Sequence, residues 1–86
     1  MSVIIYSKRV CPFCVAAKRL FDKKNVSYKE IDVETNTEEL EKMMALSGGR
    51  RTVPQIFIGQ THVGGYDDLS ALNASHELDE LLAKSV

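Results

Sequence analysis

The chain has 86 residues, 44% hydrophobic and 27% charged, a length and balance that exclude both a multidomain protein and a disordered one and lead us to expect a single domain over residues 1–86. A net charge of −1, a pI near 6.1 and the lack of interleaved aromatic and basic residues exclude a nucleic-acid-binding face. No apolar stretch approaches the roughly 20 residues of a membrane span, and no basic segment followed by a long apolar run marks a signal peptide.

Val3-Ile4-Ile5-Tyr6 is a continuous apolar run rich in β-branched residues, which suits a buried central strand. Pro12 fits the first position of a helix, with Cys11 on its cap side. Cys14, Ala17, Leu20 and Phe21 then form one apolar face, with Lys and Arg on the other, and Asn25 ends the helix. Ser27 to Val33 alternates as a second strand with Tyr28, Ile31 and Val33 as its apolar members. Asn36 or Thr37 caps a second helix, whose first turn holds Glu38 and Glu39 and whose buried stripe is Leu40, Met43 and Met44. Ser47-Gly48-Gly49 stops it. Gln55-Ile56-Phe57-Ile58 and Thr61-His62-Val63 flank Gly59-Gln60 and read as a β-hairpin, and Gly64-Gly65 breaks its second strand. Asp67 or Asp68 begins a short helix through Leu69 and Leu72, and Leu78, Leu81 and Leu82 mark a final one.

The order β-α-β-α-β-β-α predicts an α/β domain. Its first two strands are parallel through a right-handed crossover, and its closing hairpin is antiparallel. A four-stranded mixed sheet flanked by helices on both faces accommodates that order.

The chain's two cysteines, Cys11 and Cys14, fall at the turn from the first strand into the first helix. Two thiols at that spacing can carry two electrons by making and breaking one disulfide, the pattern of a thioredoxin-like redox site. They cannot staple distant parts of a fold, which argues against a secreted disulfide scaffold and for a reducing cytoplasm. A zinc site fails on ligand count, because the remaining candidates, His62 and His76, have no partner at ligand spacing, so no metal is expected. Both histidines are expected to face solvent or to cap. Cys11 lies where unpaired helix N–H groups favour an anion, with Lys8 three residues earlier. Such surroundings lower a cysteine pKa from about 8.5 into the range of roughly 3.5–7.5. Residues 1–29 add to that field, with seven bases against one acid, while residues 30–86 hold four bases and eleven acids. Cys14, one turn further on, points into the apolar stripe. Cys11 is therefore the expected nucleophile and Cys14 the resolving thiol.

Cys11-Pro12-Phe13-Cys14, Thr52-Val53-Pro54 and Gly64-Gly65-Tyr66-Asp67-Asp68, in this order and spacing, resemble a glutaredoxin of the short dithiol type over essentially the whole chain. The resemblance implies a thioredoxin-like fold with a cis Val53–Pro54 bond beside Cys11, and glutathione as co-substrate. It implies that the Val53 N–H and C=O pair with the backbone of glutathione's cysteine moiety and that Thr52, Pro54 and Phe13 wall the site. Gly65 with the N–H groups around Tyr66 and Asp67 would receive the γ-glutamyl carboxylate, and the Asp67 side chain its amine. Lys8 and Arg51 are candidates for the glycine carboxylate. Two departures from many relatives stand out: Phe13 replaces a Tyr, and the start of the second helix is the acidic Glu38-Glu39-Leu40-Glu41 where an Arg or Gln is common. Lys42, or the twin Arg50-Arg51, would have to substitute.

The implied activity is reduction of protein–glutathione mixed disulfides and protein disulfides by thiol–disulfide exchange, by a monomer whose partners are glutathione and those proteins. Two alternatives share these residues. One is a glutathione-ligated iron–sulfur protein, which Pro12 disfavours by stiffening the turn. The other is a redoxin of this shape served by thioredoxin reductase, which the retained glutathione-site residues disfavour.

Overall fold

The structure, a computed structural model, describes residues 3–84. Strand β1 (Val3–Ser7) leads through helix α1 (Pro12–Lys23) to β2 (Lys29–Asp32), then α2 (Thr37–Leu46), the hairpin β3 (Gln55–Ile58) and β4 (Thr61–Gly64), and two closing helices, α3 (Tyr66–Ala74) and α4 (Glu77–Lys84). The sheet order is β2-β1-β3-β4; β1 pairs parallel with β2 and antiparallel with β3, and β3 pairs antiparallel with β4. This is the four-stranded mixed sheet expected, in a thioredoxin-like arrangement.

Strand alternation sends Val3, Ile5, Ile56 and Ile58 to one face, where Ala17 and Phe21 of α1, Leu69 of α3 and Leu78 of α4 close the larger core. Tyr6 and Phe57 point to the other face and meet Met43 of α2 with Val33. That second cluster is small, and its centre is an edge-to-face contact of Tyr6 on Phe57 at 5.7 Å.

The helix ends follow from their sequences. Asn25, at φ 57°, takes the left-handed conformation that lets Val26 N–H return to the Phe21 carbonyl (3.0 Å) and Asn25 N–H to that of Asp22 (3.1 Å). Asn36, rather than Thr37, caps α2, its side chain accepting from Glu39 N–H at 3.2 Å. Beyond α2, Gly49 N–H closes on the Met44 carbonyl at 2.7 Å.

Two boundaries differ from those read in the sequence. The second strand is Lys29–Asp32 rather than Ser27 to Val33, because it is an edge strand whose partners on β1 run only from Ile4 to Ser7. Helix α3 starts at Tyr66, ahead of Asp67 and Asp68, because Gly65 takes the cap position and Asp68 reaches back to accept its N–H at 3.0 Å. The closing leucines form two separate helices, as read in the sequence and one more than the order β-α-β-α-β-β-α counts, with His76 at φ 67° between them.

Candidate active site

Strand direction gathers the three motifs. β1 ends, β3 begins and β4 ends at the same end of the sheet, so Cys11 meets the Thr52-Val53-Pro54 and Gly64-Gly65 segments although both lie some 40 residues or more further along the chain. Cys11 caps α1 in an extended conformation (φ −152°, ψ 95°), Pro12 follows in the first turn, and the Cys11 Sγ accepts from Cys14 N–H at 3.1 Å. The two cysteines form a disulfide with their Cα atoms 5.2 Å apart. Cys14 is buried at 1% exposure, whereas Cys11 is half-buried at the surface. Opening the bond would leave Cys11 as the sulfur that solvent and a substrate reach. The first turn of α1 holds no acid, so no side chain of that turn opposes the positive end of its dipole beside that sulfur.

A groove runs from this point between the Phe13, Thr52, Val53, Pro54 and Arg50 side and the Gly65, Tyr66, Asp67 and Asp68 side. Phe13 and Tyr66 lie nearly parallel across it, with ring centroids 6.1 Å apart. The Val53–Pro54 peptide bond is cis, as the resemblance implies, and the Val53 carbonyl oxygen lies 3.9 Å from Cys11 Sγ. Strand pairing of β3 begins at Gln55, so Val53 stands outside the ladder. At the other wall, the first N–H groups of α3 have no partner within the helix.

Of the residues expected to contact a ligand, Phe13, Thr52, Val53, Pro54, Gly65, Tyr66 and Asp67 line this groove together. Lys8 does not; it lines a polar cleft on the β2 side with Ser7, Arg9, Lys18, Glu30 and Asp32. Arg51 is exposed and outside the lining, where its neighbour Arg50 stands instead. Ser47, buried at the end of α2, fixes that loop by donating to the Arg50 carbonyl at 3.2 Å. Arg50 lies 3.9 Å from the Asp68 carboxylate.

His62 corrects an expectation. It is half-buried rather than solvent-facing, stacked on Phe57 at 4.8 Å, with its Nε2 2.7 Å from the Gln55 side-chain carbonyl oxygen. Burial, helped by the nearby Arg50 and opposed by Asp68, holds its imidazole below the ordinary value of 6.5. His76 is exposed.

The glutaredoxin family model matches residues 3–63, which hold the disulfide and the Thr52-Val53-Pro54 wall. This chain belongs to the glutaredoxin family. It is 55% identical to Glutaredoxin 1 of Rickettsia prowazekii over 82 residues, covering 94% of this chain and 86% of that protein. It is 49% identical to Glutaredoxin 3 of Escherichia coli K12 over 81 residues, covering 94% and 96%. Among solved structures, a buckwheat glutaredoxin–glutathione complex superposes with a TM-score of 0.86 at 30% identity, covering 96% of this chain and 77% of that one. The glutaredoxin disulfide at the groove's head is thus a thiol–disulfide oxidoreductase centre.

Proposed function

We propose that this glutaredoxin uses glutathione to reduce protein–glutathione mixed disulfides and protein disulfides. The observation that carries the reading is the half-exposed Cys11 sulfur beside the Val53 carbonyl, which stands outside the β3 ladder, at the head of a groove that ends on the α3 N-terminus. A tripeptide laid along it in extended form would pair with Val53 in the manner of an added strand. Its γ-glutamyl carboxylate would meet the N–H groups of Tyr66 and Asp67, and its amine the Asp67 carboxylate. Phe13, Thr52, Pro54 and Gly65 would form the walls. Arg50, whose guanidinium stands beside Asp68 and Gly65, would add positive field at the γ-glutamyl end, and Lys8 and Arg51 are the candidates for the glycine carboxylate. The buckwheat glutaredoxin complex supports glutathione as the ligand.

In the first step the Cys11 thiolate attacks the glutathione sulfur of a glutathionylated protein. The Cys11–glutathione bond forms, the old disulfide breaks, and the protein sulfur leaves as a thiolate that takes a proton from solvent. A second glutathione thiolate then attacks the glutathione sulfur on Cys11, releasing oxidised glutathione and restoring the Cys11 thiolate. With a protein disulfide, Cys11 forms the mixed disulfide, Cys14 displaces the target, and two glutathiones reopen the Cys11–Cys14 bond. Among the described residues no helix is long and apolar enough to cross a membrane. We infer a monomer that acts on glutathione and its protein partners, and the bacterial relatives support the cytoplasm as its place of action.

The test is turnover with glutathione, glutathione reductase and NADPH, on a glutathionylated and on a disulfide-bonded protein. Cys14→Ser should keep deglutathionylation within about threefold and lose about tenfold or more of disulfide reduction, and Cys11→Ser should lose both. Turnover by Cys11→Ser would overturn the assignment of roles. Turnover supported only by thioredoxin reductase would overturn the choice of reductant.

A further inference from the structure

Gln55 opens strand β3 and points its amide into the small core on the α2 face, opposite Tyr6, with no exposed surface. A polar side chain in that place is costly unless its groups find partners. All of its contacts lead in two directions. The amide nitrogen donates to the Thr52 carbonyl oxygen at 3.0 Å and to the Thr52 hydroxyl at 3.2 Å, and the amide oxygen lies 2.7 Å from His62 Nε2.

The chemistry of the partners fixes the direction of every bond. A backbone carbonyl only accepts, so the end of the amide facing Thr52 is its NH2 group. The end facing His62 is then the carbonyl, which also only accepts. His62 must therefore hold a proton on Nε2. Its ring is kept in place by the stack on Phe57, 24° from parallel. The result is a directed chain from His62 to Gln55 to Thr52, running from the hairpin interior to the groove wall.

Thr52 is the exposed residue immediately before Val53, and the groove includes both. Neither residue belongs to the β3 ladder. The Gln55 amide is what ties Thr52, by backbone and side chain at once, to the rigid sheet.

We propose that His62 and Gln55 are positioning residues that hold Thr52, and through it the Val53 backbone, in the geometry that binds the glutathione moiety. Neither touches substrate. The inference rests on the glutathione reading of the groove given above. Because the relay shapes a binding wall and not the reacting sulfur, its loss should weaken ground-state and transition-state binding equally, raising KM while leaving kcat alone.

His62→Phe keeps a ring on Phe57 and removes the donor; His62→Gln restores an N–H donor of similar reach. Expected for His62→Phe is a rise of about three- to tenfold in KM for a glutathionylated peptide, with kcat within about twofold. His62→Gln should return KM to within about twofold of wild type. An unchanged KM in His62→Phe, a fall in kcat as large as the rise in KM, or a rise shared in full by His62→Gln would each overturn the relay. If His62→Phe does not fold, the nitrogen-15 spectrum of the wild-type imidazole decides. A proton on Nε2 at neutral pH is required, and a neutral ring protonated on Nδ1 alone overturns the proposal. Absence of glutathione-dependent turnover in the wild type would sink the glutathione reading instead, since the tautomer is read without substrate.

Discussion

Gly64 has a backbone φ of +114°, and a Cβ placed on it would run into the Asp68 carboxylate. Both features act at the hinge between β4 and α3, where Asp68 holds the Gly65 N–H and stands near Arg50. Gly64→Ala should therefore cost about 1–3 kcal/mol of stability in urea denaturation. It should also raise KM for glutathione, because displacing Asp68 disturbs one wall of the groove. Gly48 provides the control: its φ is +73° but nothing lies within 4 Å of a Cβ there, so Gly48→Ala bears backbone strain alone. Equal losses in the two variants would mean that the close approach to Asp68 has no weight. In the sequence, Gly64-Gly65 already marks a break, yet nothing local says which glycine has positive φ. The choice between Arg50 and Arg51 is hidden for a similar reason. The two have the same charge and sit side by side, and the path of the loop through Gly48 and Gly49 decides which one reaches the groove.

Among the elements, α2 depends most on its ends. It buries only Met43 fully and covers its face of the sheet alone, so the Asn36 cap is a large part of what starts it. Asn36→Ala should lower stability by about 1 kcal/mol, and Asn36→Ser should recover most of that loss. Identical urea midpoints for wild type and Asn36→Ala would show that the 3.2 Å bond to Glu39 N–H does not contribute. Element types and order were readable because apolar spacing, Asn36, Pro12 and the glycine pairs all act locally. The extent of β2 was not readable, since its length is set by how far β1 runs beside it. The start of α3 was hidden too, because Gly65 has no side chain with which to advertise a cap and the bond is made by Asp68 from inside the helix. Gln55 reads as an ordinary strand residue until the hairpin brings His62 to it, a contact that depends on the cross-strand register between Phe57 and His62.

At the scale of the whole molecule, the titrating groups that fold has shifted all favour a neutral to mildly alkaline optimum. Glu30 is held below its ordinary 4.5 chiefly by the Ser7 hydroxyl, against the cost of burial and with help from Lys18. Asp32 is held below 3.8, first by the Glu34 N–H and then by the Thr35 hydroxyl. A carboxylate lowered on folding adds stability above its unfolded value and loses it as pH falls through the folded one. His62, lowered from 6.5 mainly by burial, works in the same direction: the native state resists its protonation while the unfolded chain accepts it. Stability is then lost in two acid stages, the first starting near pH 6.5 from His62 and the second below about 4.5 from Glu30 and Asp32. On the alkaline side Tyr6 and Tyr28 are raised above 10.0, mainly by burial. A tyrosine raised on folding costs stability at high pH, because the native state resists ionising where the unfolded chain does so readily. The fold should weaken above about pH 10, as the unfolded phenols release their protons. Urea midpoints of the oxidised protein should thus be highest between about pH 7 and 9, lower at 5.5 and lower again at 3.5. His62→Gln should remove the first acid stage and leave the second. A midpoint that rises between pH 7 and pH 5.5 would contradict an imidazole held below 6.5 by its half-buried place on Phe57, on which this profile depends.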